Sequence, residues 1–457
     1  MKNVNLIYGV KDKPGFGKTV VFALQQLLAI LAATIAVPSI IGNGMSQSAA
    51  LFGAGVGTIV YLLFTKFKSP VFLGSSFAFL PSMSAAFTGA ISVSVGYLGL
   101  IIGAILAGLV YVIIAIVVKF AGVDWIDKLM PASIIGPTVA IIGLSLSTNA
   151  IGDAVKGATS DNGAWIMNTT SSISLLCALV TLFTVILCSV YGKKMMRMIP
   201  FIIGILAGYL VATIFTLIGI LAEVPELVII NFSLFNDMQW VPTFTFIEAF
   251  KGFEDLGNFG AYIIAIIAAY IPVAFVVFAE HLADHKNISS IIGEDLAKDP
   301  GLHRTLLGDG VGSMVGAFFG GCPNTTYGES VGCVAISRNA SVITTFATAV
   351  VCILSAFFAP FVTFLATIPS CVMGGVCISL YGFIAVSGLK MIQKVDLNEN
   401  RNLFTVSTIL IAGVGGMSLT FGIIPLKAVA CSLVLGIIVN LITSRSAKNA
   451  SQEEKQD

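Results

Sequence analysis

The chain has 457 residues, of which 57% are hydrophobic and only 10% are charged, and its formal net charge is +1. Soluble domains carry roughly half apolar residues and about a quarter charged ones, so this composition excludes an ordinary soluble protein. The nearly neutral charge balance also gives no support to a nucleic-acid partner, and we predict none.

Apolar runs long enough to cross a lipid bilayer recur along the whole chain. Crossing about 30 Å of hydrocarbon takes roughly 20 helical residues. The pattern predicts fourteen segments, near 19–42, 48–64, 70–90, 93–118, 125–148, 170–191, 198–221, 259–285, 303–320, 324–337, 341–358, 361–392, 402–420 and 427–444. We therefore expect an all-α, multi-pass membrane protein whose surroundings are the lipid bilayer.

The basic residues predict how the segments are oriented. Of the 24 Lys and Arg, only Lys156, Lys251 and Lys427 fall in loops after odd-numbered segments, and the others lie at the termini or near even-numbered turns. Because basic residues are enriched on the cytoplasmic side, this asymmetry predicts cytoplasmic termini and a solvated cytoplasmic tail over 445–457. The stretch 245–257 in an outer loop is expected to contain a short amphipathic helix.

Two predicted segments are interrupted in the same way. The third contains "SPVFLGSSFAFLPSM" (69–83) and the tenth contains "GGCPNTTYGESVG" (320–332), each with proline, small polar residues and an aromatic. Corresponding interruptions indicate two inverted repeats with a binding site at their interface. Seven spans per repeat fit, because an odd number inverts the second copy. Each interrupted span is expected to hold a short extended piece followed by a half-helix, with Pro81 in a first helical turn.

Few ionisable residues remain inside the predicted spans. Glu280 is followed by His281, Asp284 and His285, and Glu329 lies in the second interruption. A charged side chain at the bilayer centre costs about 3 kcal/mol on insertion scales, so such residues typically mark substrate or proton pathways. For Asp284 and His285 an alternative stays open, in which both lie at the cytoplasmic interface and pair with Lys286.

Other functional classes find little support in the sequence. The His281-x-x-x-His285 spacing lacks the further ligands that a metal site needs, and the eight cysteines are scattered. "PGFGKT" near the N-terminus lacks the leading glycine of a phosphate loop. "GDGVGSMVG" (308–316) lacks a complete dinucleotide fingerprint, and its Gly312-x-x-x-Gly316 predicts close helix packing instead. We predict no cofactor, no metal, no catalytic residue and no enzyme activity.

The remaining polar inventory indicates the kind of ligand. Carboxylates on two spans accept N–H groups, and main-chain N–H groups at half-helix starts donate to oxygen atoms. Phe77 and Tyr327 offer flat faces for stacking. Together they suit a small, planar, neutral molecule with alternating N–H and C=O groups, and they suit an inorganic anion badly.

Five motifs in chain order carry a family resemblance: "LGSSFAF" (73–79), "AEHLADH" (279–285), "KDPGLHR" (298–304), "YGESVGCVAISR" (327–338) and "VMGGVCISLYG" (372–382). They resemble the nucleobase/ascorbate transporter family, and within it the bacterial uracil permeases. The resemblance extends from "ALQQLLAI" in the first span to "KVDLNENRN" before the thirteenth.

The resemblance implies a division into two domains and a working mechanism. Spans 1–4 and 8–11 (1–118 and 259–360) would form the core domain that binds substrate. Spans 5–7 and 12–14 (119–258 and 361–444) would form a gate domain. It further implies proton-coupled uptake across the cell membrane and a homodimer formed through the gate domains.

The same resemblance assigns roles to individual residues. Glu280 and Glu329 would contact the base through their carboxylates, and Phe77 and Gly328 through main-chain groups. The Gly328–Glu329 pair favours uracil-type ligands, since the purine carriers usually have Gln at the second position. The candidates for proton coupling are Glu280, Asp284, His285 and Glu329.

Four positions in or near the site depart from the family pattern. The first span has Gln25–Gln26 in place of Gln-His, Ser330 replaces the Asn that follows the second glutamate, and Ser337 replaces a Thr. Asp284 stands where uracil permeases have a His, and His285 follows it.

These observations predict a proton-coupled importer of uracil that works by an elevator-like movement of core against gate. A purine, xanthine or urate carrier of the same fold is the first alternative. An anion channel or exchanger with the same inverted repeat is the second, and a membrane enzyme the third.

Overall fold

The architecture comes from a computed structural model that describes residues 6–161, 164–193, 195–255, 259–421 and 424–453. Helices α1 to α10 run Phe16–Ile41, Gln47–Phe64, Leu80–Thr88, Val93–Ala121, Asp124–Leu129, Ala132–Ser145, Ser147–Ala154, Thr169–Tyr191, Met195–Met198 and Pro200–Leu221. Helices α11 to α19 run Thr245–Lys251, Phe259–Ile292, Leu302–Gly320, Gly328–Ser337, Val342–Ser355, Ala359–Thr367, Ser370–Ile392, Asn400–Val414 and Ala428–Glu453. Strands β1 to β6 are Leu73–Ser75, Thr159–Asp161, Ala164–Ile166, Asn324–Thr326, Leu419–Phe421 and Ile424–Leu426.

Helical structure occurs at each of the fourteen predicted segments. Within the described residues, eight helices are long and apolar enough to span a membrane, or nine if the bent pair α15–α16 counts as one span. The remaining segments are shorter, interrupted or more polar, as α3 and α14 are. The protein is thus a multi-pass membrane protein, and the count of fourteen spans stays a prediction.

Two predicted segments differ in detail from the observed helices. The twelfth, 361–392, is not one helix, because α16 ends at Thr367 and α17 begins only at Ser370, after Pro369. Between α15 and α16 the chain bends by 83°. The fifth segment is divided into α5, α6 and α7. Proline explains the break before α17, since the residue before it is disfavoured in helical conformation.

The predicted tail and outer-loop helix are partly described. Helix α19 continues through Glu453, so 445–453 of the predicted tail are helical, whereas 454–457 lie outside the described residues. The outer-loop stretch forms α11 and a 3₁₀ turn over Gly252–Asp255, as expected for a short helix.

The helices pack in two bundles. In one, α2 and α4 pack on α13, α15 packs on α1 and α2, and α12 packs on α4. In the other, α6 and α8 pack on α17, α8 packs on α10, and α18 packs on α6 and α19. We refer to these as the first and second bundles. The site lies where they meet.

Glycines allow the closest approach within the first bundle. A Cβ added to Gly57 would lie 2.8 Å from the Gly312 carbonyl oxygen, and one on Gly53 would lie 2.5 Å from that of Gly316. Real Cβ atoms do not come so close, so α2 and α13 can touch along this seam only without side chains. The close packing predicted from Gly312 and Gly316 is confirmed.

Candidate binding site

The two interrupted segments cross at the centre of the first bundle. Strand β1 pairs antiparallel with β4, with Leu73 opposite Thr326 and Ser75 opposite Asn324. Thr58 on α2 anchors β1, because its hydroxyl accepts the Leu73 N–H at 2.9 Å. The extended pieces predicted for spans 3 and 10 are confirmed. Irregular backbone at this depth is tolerated because the two strands satisfy each other's hydrogen bonds.

A helix begins immediately after each strand. A 3₁₀ turn starts at Phe77 and leads into α3, where Pro81 occupies the first turn as predicted. After β4, helix α14 starts at Gly328. First-turn N–H groups have no partner within their own helix, so both starts supply donors and a partial positive charge.

A cavity of about 430 Å³ opens beside these helix starts, between the two bundles. The first bundle contributes Ala29, Phe77, Glu280, Ala283, Asp284, Asn287, Thr325, Tyr327, Gly328, Glu329, Val331, Gly332, Cys333 and Ile336. The second bundle and the α8–α10 connection contribute Val139, Ser189, Arg197, Met198, Pro200, Phe201, Phe383, Ile384 and Ser387. All five residues predicted to bind substrate therefore line one cavity.

The two glutamates reach this cavity from different elements. Glu280 lies on α12, and its Oε2 has no hydrogen-bond partner among the described residues. Glu329 lies in the first turn of α14, where the helix dipole favours a negative charge. The arrangement presents two acidic groups to a ligand beside oriented main-chain N–H donors.

Asp284 lies one helical turn after Glu280 and also lines the cavity. Its Oδ2 accepts a hydrogen bond of 2.9 Å from the Thr326 hydroxyl, at the end of β4. Asp284 and His285 are only 7% and 5% exposed. Both side chains are therefore buried in the helix bundle, and α12 continues beyond them to Ile292, which favours the cavity over the cytoplasmic interface.

The aromatic residues occupy the wall and one end of the cavity. The Tyr327 hydroxyl donates to the Ser75 carbonyl oxygen at 2.8 Å, and a Cβ on Gly74 would overlap the Tyr327 ring. The Phe77 ring meets the Tyr381 ring of the second bundle edge-to-face, with centroids 5.3 Å apart. Gly328 is exposed to the cavity, so a ligand can approach its main chain.

His281 and His285 do not line the cavity. His281 Nδ1 lies 2.7 Å from Asp309 Oδ2, and His281 Nε2 lies 3.1 Å from Thr305 Oγ1. His285 Nδ1 lies 2.9 Å from the His281 carbonyl, and its Nε2 lies 2.9 Å from the Tyr61 hydroxyl. A carbonyl can only accept, so His285 Nδ1 carries the proton and a neutral His285 accepts from Tyr61 at Nε2.

Asp309 is the buried acid that sequence reasoning missed. It lies in α13, is 1% exposed, and has one oxygen, Oδ1, without a hydrogen-bond partner among the described residues. The signal was present, because an aspartate inside the apolar segment 303–320 is as costly as Glu280. The described residues contain no group of three or more His, Cys, Asp or Glu that could hold a metal.

Interrupted spans that cross at the centre of one bundle, beside a cavity between two bundles, are typical of a membrane transporter. Solved structures share the fold. The transmembrane domain of the cyanobacterial bicarbonate transporter BicA has a TM-score of 0.60 at 15% identity, covering 95% of this chain and 99% of that one. The murine anion transporter Slc26a9, solved in its inward-facing state, has a TM-score of 0.64 at 12% identity, covering 96% of this chain and 69% of that one. The chain has their inverted-repeat fold with core and gate.

Sequence comparisons identify the family. A sequence family model of xanthine and uracil permeases, described as the permease family, matches residues 17–421. The uracil permease of Bacillus subtilis (strain 168) is 36% identical, over 100% of this chain and 99% of its own length. The uracil permease of Escherichia coli (strain K12) is 34% identical, over 95% and 93%, and the putative pyrimidine permease RutG of the same strain is 30% identical, over 94% and 90%. The chain belongs to this family, the nucleobase/ascorbate transporters.

Proposed function

We propose that the protein is a proton-coupled symporter that imports uracil across the cell membrane. The observation that carries this proposal is the convergence of Glu280, Glu329 and the starts of two half-helices on one cavity. The relatives named as uracil permeases support the choice of substrate.

The chemistry of uracil matches the groups in the cavity. Its two ring N–H groups are donors and its two carbonyl oxygens are acceptors. The carboxylates of Glu280 and Glu329 accept the N–H groups, and the main-chain N–H groups at Phe77 and Gly328 donate to the carbonyl oxygens. Phe77 and Tyr327 supply the apolar faces against which the flat ring packs.

Proton coupling is assigned to acids that line the cavity. Glu280, Asp284 and Glu329 can each change their contacts with the base when they gain or lose a proton, which links the proton gradient to substrate affinity. His285 is the weaker candidate, because both of its ring nitrogens are engaged outside the cavity.

The proposed movement is an elevator-like displacement of the core (1–118 and 259–360) against the gate (119–258 and 361–444). The cavity extends to Arg197 and Asn287, on the side where basic residues predict the cytoplasm. At its other end Phe77 meets Tyr381. These contacts support an inward-facing conformation with both termini in the cytoplasm. We also propose a homodimer formed through the gate domains, which cross-linking in native membranes tests.

Uptake by the purified protein in liposomes tests the function. With an inward proton gradient, labelled uracil should accumulate above its equilibrium level, and a protonophore should abolish the accumulation. Unlabelled uracil should compete strongly, and xanthine, urate and adenine should not. Competition by purines alone would favour the purine carrier, and anion currents independent of any base would favour an anion channel or exchanger.

A further inference from the structure

A chain of buried hydrogen bonds runs behind the cavity, from α15 through α1 to the start of α14. The Thr348 hydroxyl donates to Gln26 Oε1 at 3.0 Å, and Gln26 Nε2 donates to Ser330 Oγ at 3.1 Å. Ser330 Oγ also accepts the main-chain N–H of Phe72 at 3.1 Å. Gln26 is 4% exposed, and Thr348 and Ser330 are fully buried.

This series of hydrogen bonds ends directly beside the proposed ligand contacts. Ser330 follows Glu329 in the first turn of α14, and Phe72 precedes β1. The Tyr327 N–H adds a second link by donating to the Phe72 carbonyl oxygen at 3.2 Å. Neither Gln26 nor Ser330 is among the described residues that line the cavity. Their hydrogen bonds therefore fix the position of the start of α14 relative to β1, and neither side chain contacts a ligand.

A carboxylate that binds a ligand must be held to within about 0.5 Å by groups whose own positions are fixed. The side-chain amide of Gln26 carries a donor and an acceptor, so it can link two hydroxyl groups on different helices. We infer that Gln26 is a positioning residue for Glu329, acting through Ser330, and that Gln26 and Ser330 form a matched pair. The inference rests on the proposed function, because it concerns the contact between Glu329 and the base.

Both residues of this pair depart from the family pattern. Gln26 stands where the family pattern has His, and Ser330 stands where it has Asn. Ser is smaller than Asn, and Gln has a flexible side chain where His has a rigid ring, so the two departures are complementary in shape. With Gln26 only 3.1 Å away and Ser330 fully buried, an Asn at 330 alone would be crowded. A His at 26 alone would hold its two nitrogens on a rigid ring and could not bond Thr348 and Ser330 in the same geometry.

Calorimetric titration of the purified full chain with uracil tests the positioning role. Gln26→Leu should weaken binding by about tenfold, because the carboxylate is no longer held in place. In a Glu329→Gln background the same change should have little further effect, since the group being positioned is already altered. Gln25→Leu is the matched control and should leave affinity unchanged, because Gln25 bonds Met195 Sδ instead. Equal weakening by Gln26→Leu in both backgrounds would show a general packing role and overturn the inference.

Four further variants extend the test. Ser330→Ala removes the same link with a smaller change in volume and should weaken uracil binding to a similar extent, even if Gln26→Leu does not fold. Gln26→His and Ser330→Asn should each weaken binding, and the double variant should recover most of the lost affinity. Double-variant losses equal to the sum of the single losses would contradict a matched pair. If the wild type binds uracil and the affinity of none of these variants changes, only the inference is overturned. If the wild type binds no base at all, the proposed function is overturned as well.

Discussion

Thr326 and Asp284 are joined by a hydrogen bond of 2.9 Å, donated by the Thr326 hydroxyl to Asp284 Oδ2. The bond connects the last residue of β4 to α12, so the extended piece of span 10 and the helix that carries Glu280 are held together. It also leaves an acid at the edge of the cavity with one oxygen engaged. This relationship joins Asp284, an acid that lines the cavity, directly to the crossing strands.

Asp284→Asn is expected to separate binding from coupling. An Asn can still accept the Thr326 hydroxyl bond, so the site geometry survives while the titrating group is lost. Exchange of labelled for unlabelled uracil across liposomes should persist, and accumulation driven by a proton gradient should fall by about tenfold or more.

The control for that experiment is Asp299→Asn. The Asp299 side chain pairs with Lys68 at an exposed position. An exposed ion pair contributes about 0–1 kcal/mol, so accumulation should be unchanged. Gradient-driven accumulation at the wild-type level by Asp284→Asn would remove Asp284 from the coupling candidates.

Glu280→Gln and Glu329→Gln are each expected to weaken uracil binding. A hydrogen bond to a charged group contributes about 1.5–3 kcal/mol, which corresponds to an affinity loss of about 10- to 100-fold. Equilibrium binding of labelled uracil measures the change. Wild-type affinity in both variants would contradict the carboxylate contacts.

Gly74→Ala is expected to disturb the site from the strand side. The added Cβ would overlap the Tyr327 ring, which is fixed by its hydroxyl bond to Ser75. Overpacking of a fixed site costs about 1–3 kcal/mol, so both melting temperature and uracil affinity should drop. In Gly382→Ala the new Cβ meets no atom within 4 Å, and this control should behave like the wild type. A Gly74→Ala protein with unchanged affinity would show that the Tyr327 ring moves freely.

Cysteine labelling checks the direction in which the cavity opens. In a background without the native cysteines, Asn287→Cys at the cavity wall should react with a membrane-impermeant maleimide applied from the cytoplasmic side, and uracil should slow the reaction. Ala430→Cys should remain unreactive, because it lines a narrow seam of about 20 Å³ near Phe77. The opposite pattern would indicate an outward-facing resting state.

The sequence by itself determined the class of the protein and much of its site. Composition alone required a membrane environment, because so few charged residues cannot cover a soluble surface. The interruptions at 69–83 and 320–332 predicted the extended pieces, since a cluster of proline, glycine and small polar residues disfavours a continuous helix. Glu280 and Glu329 stood out because a buried charge is costly in any membrane fold. All five predicted binding residues line the cavity, and their contacts with a base stay predictions.

Only the tertiary structure decided which polar residues share a site and which support it. Local sequence cannot show that His285 bonds Tyr61, more than two hundred residues away, or that α12 carries Asp284 and His285 to the interior. It placed Asp309 inside an apolar segment but did not show that Asp309 lies 2.7 Å from His281. It also gave Gln26 and Ser330 no common role, because their hydrogen bond joins the first span to the tenth. The strength of a hydrogen bond depends on the distance between its two atoms in space. The crossing of the two half-helices sets that distance, and the order of residues along the chain does not.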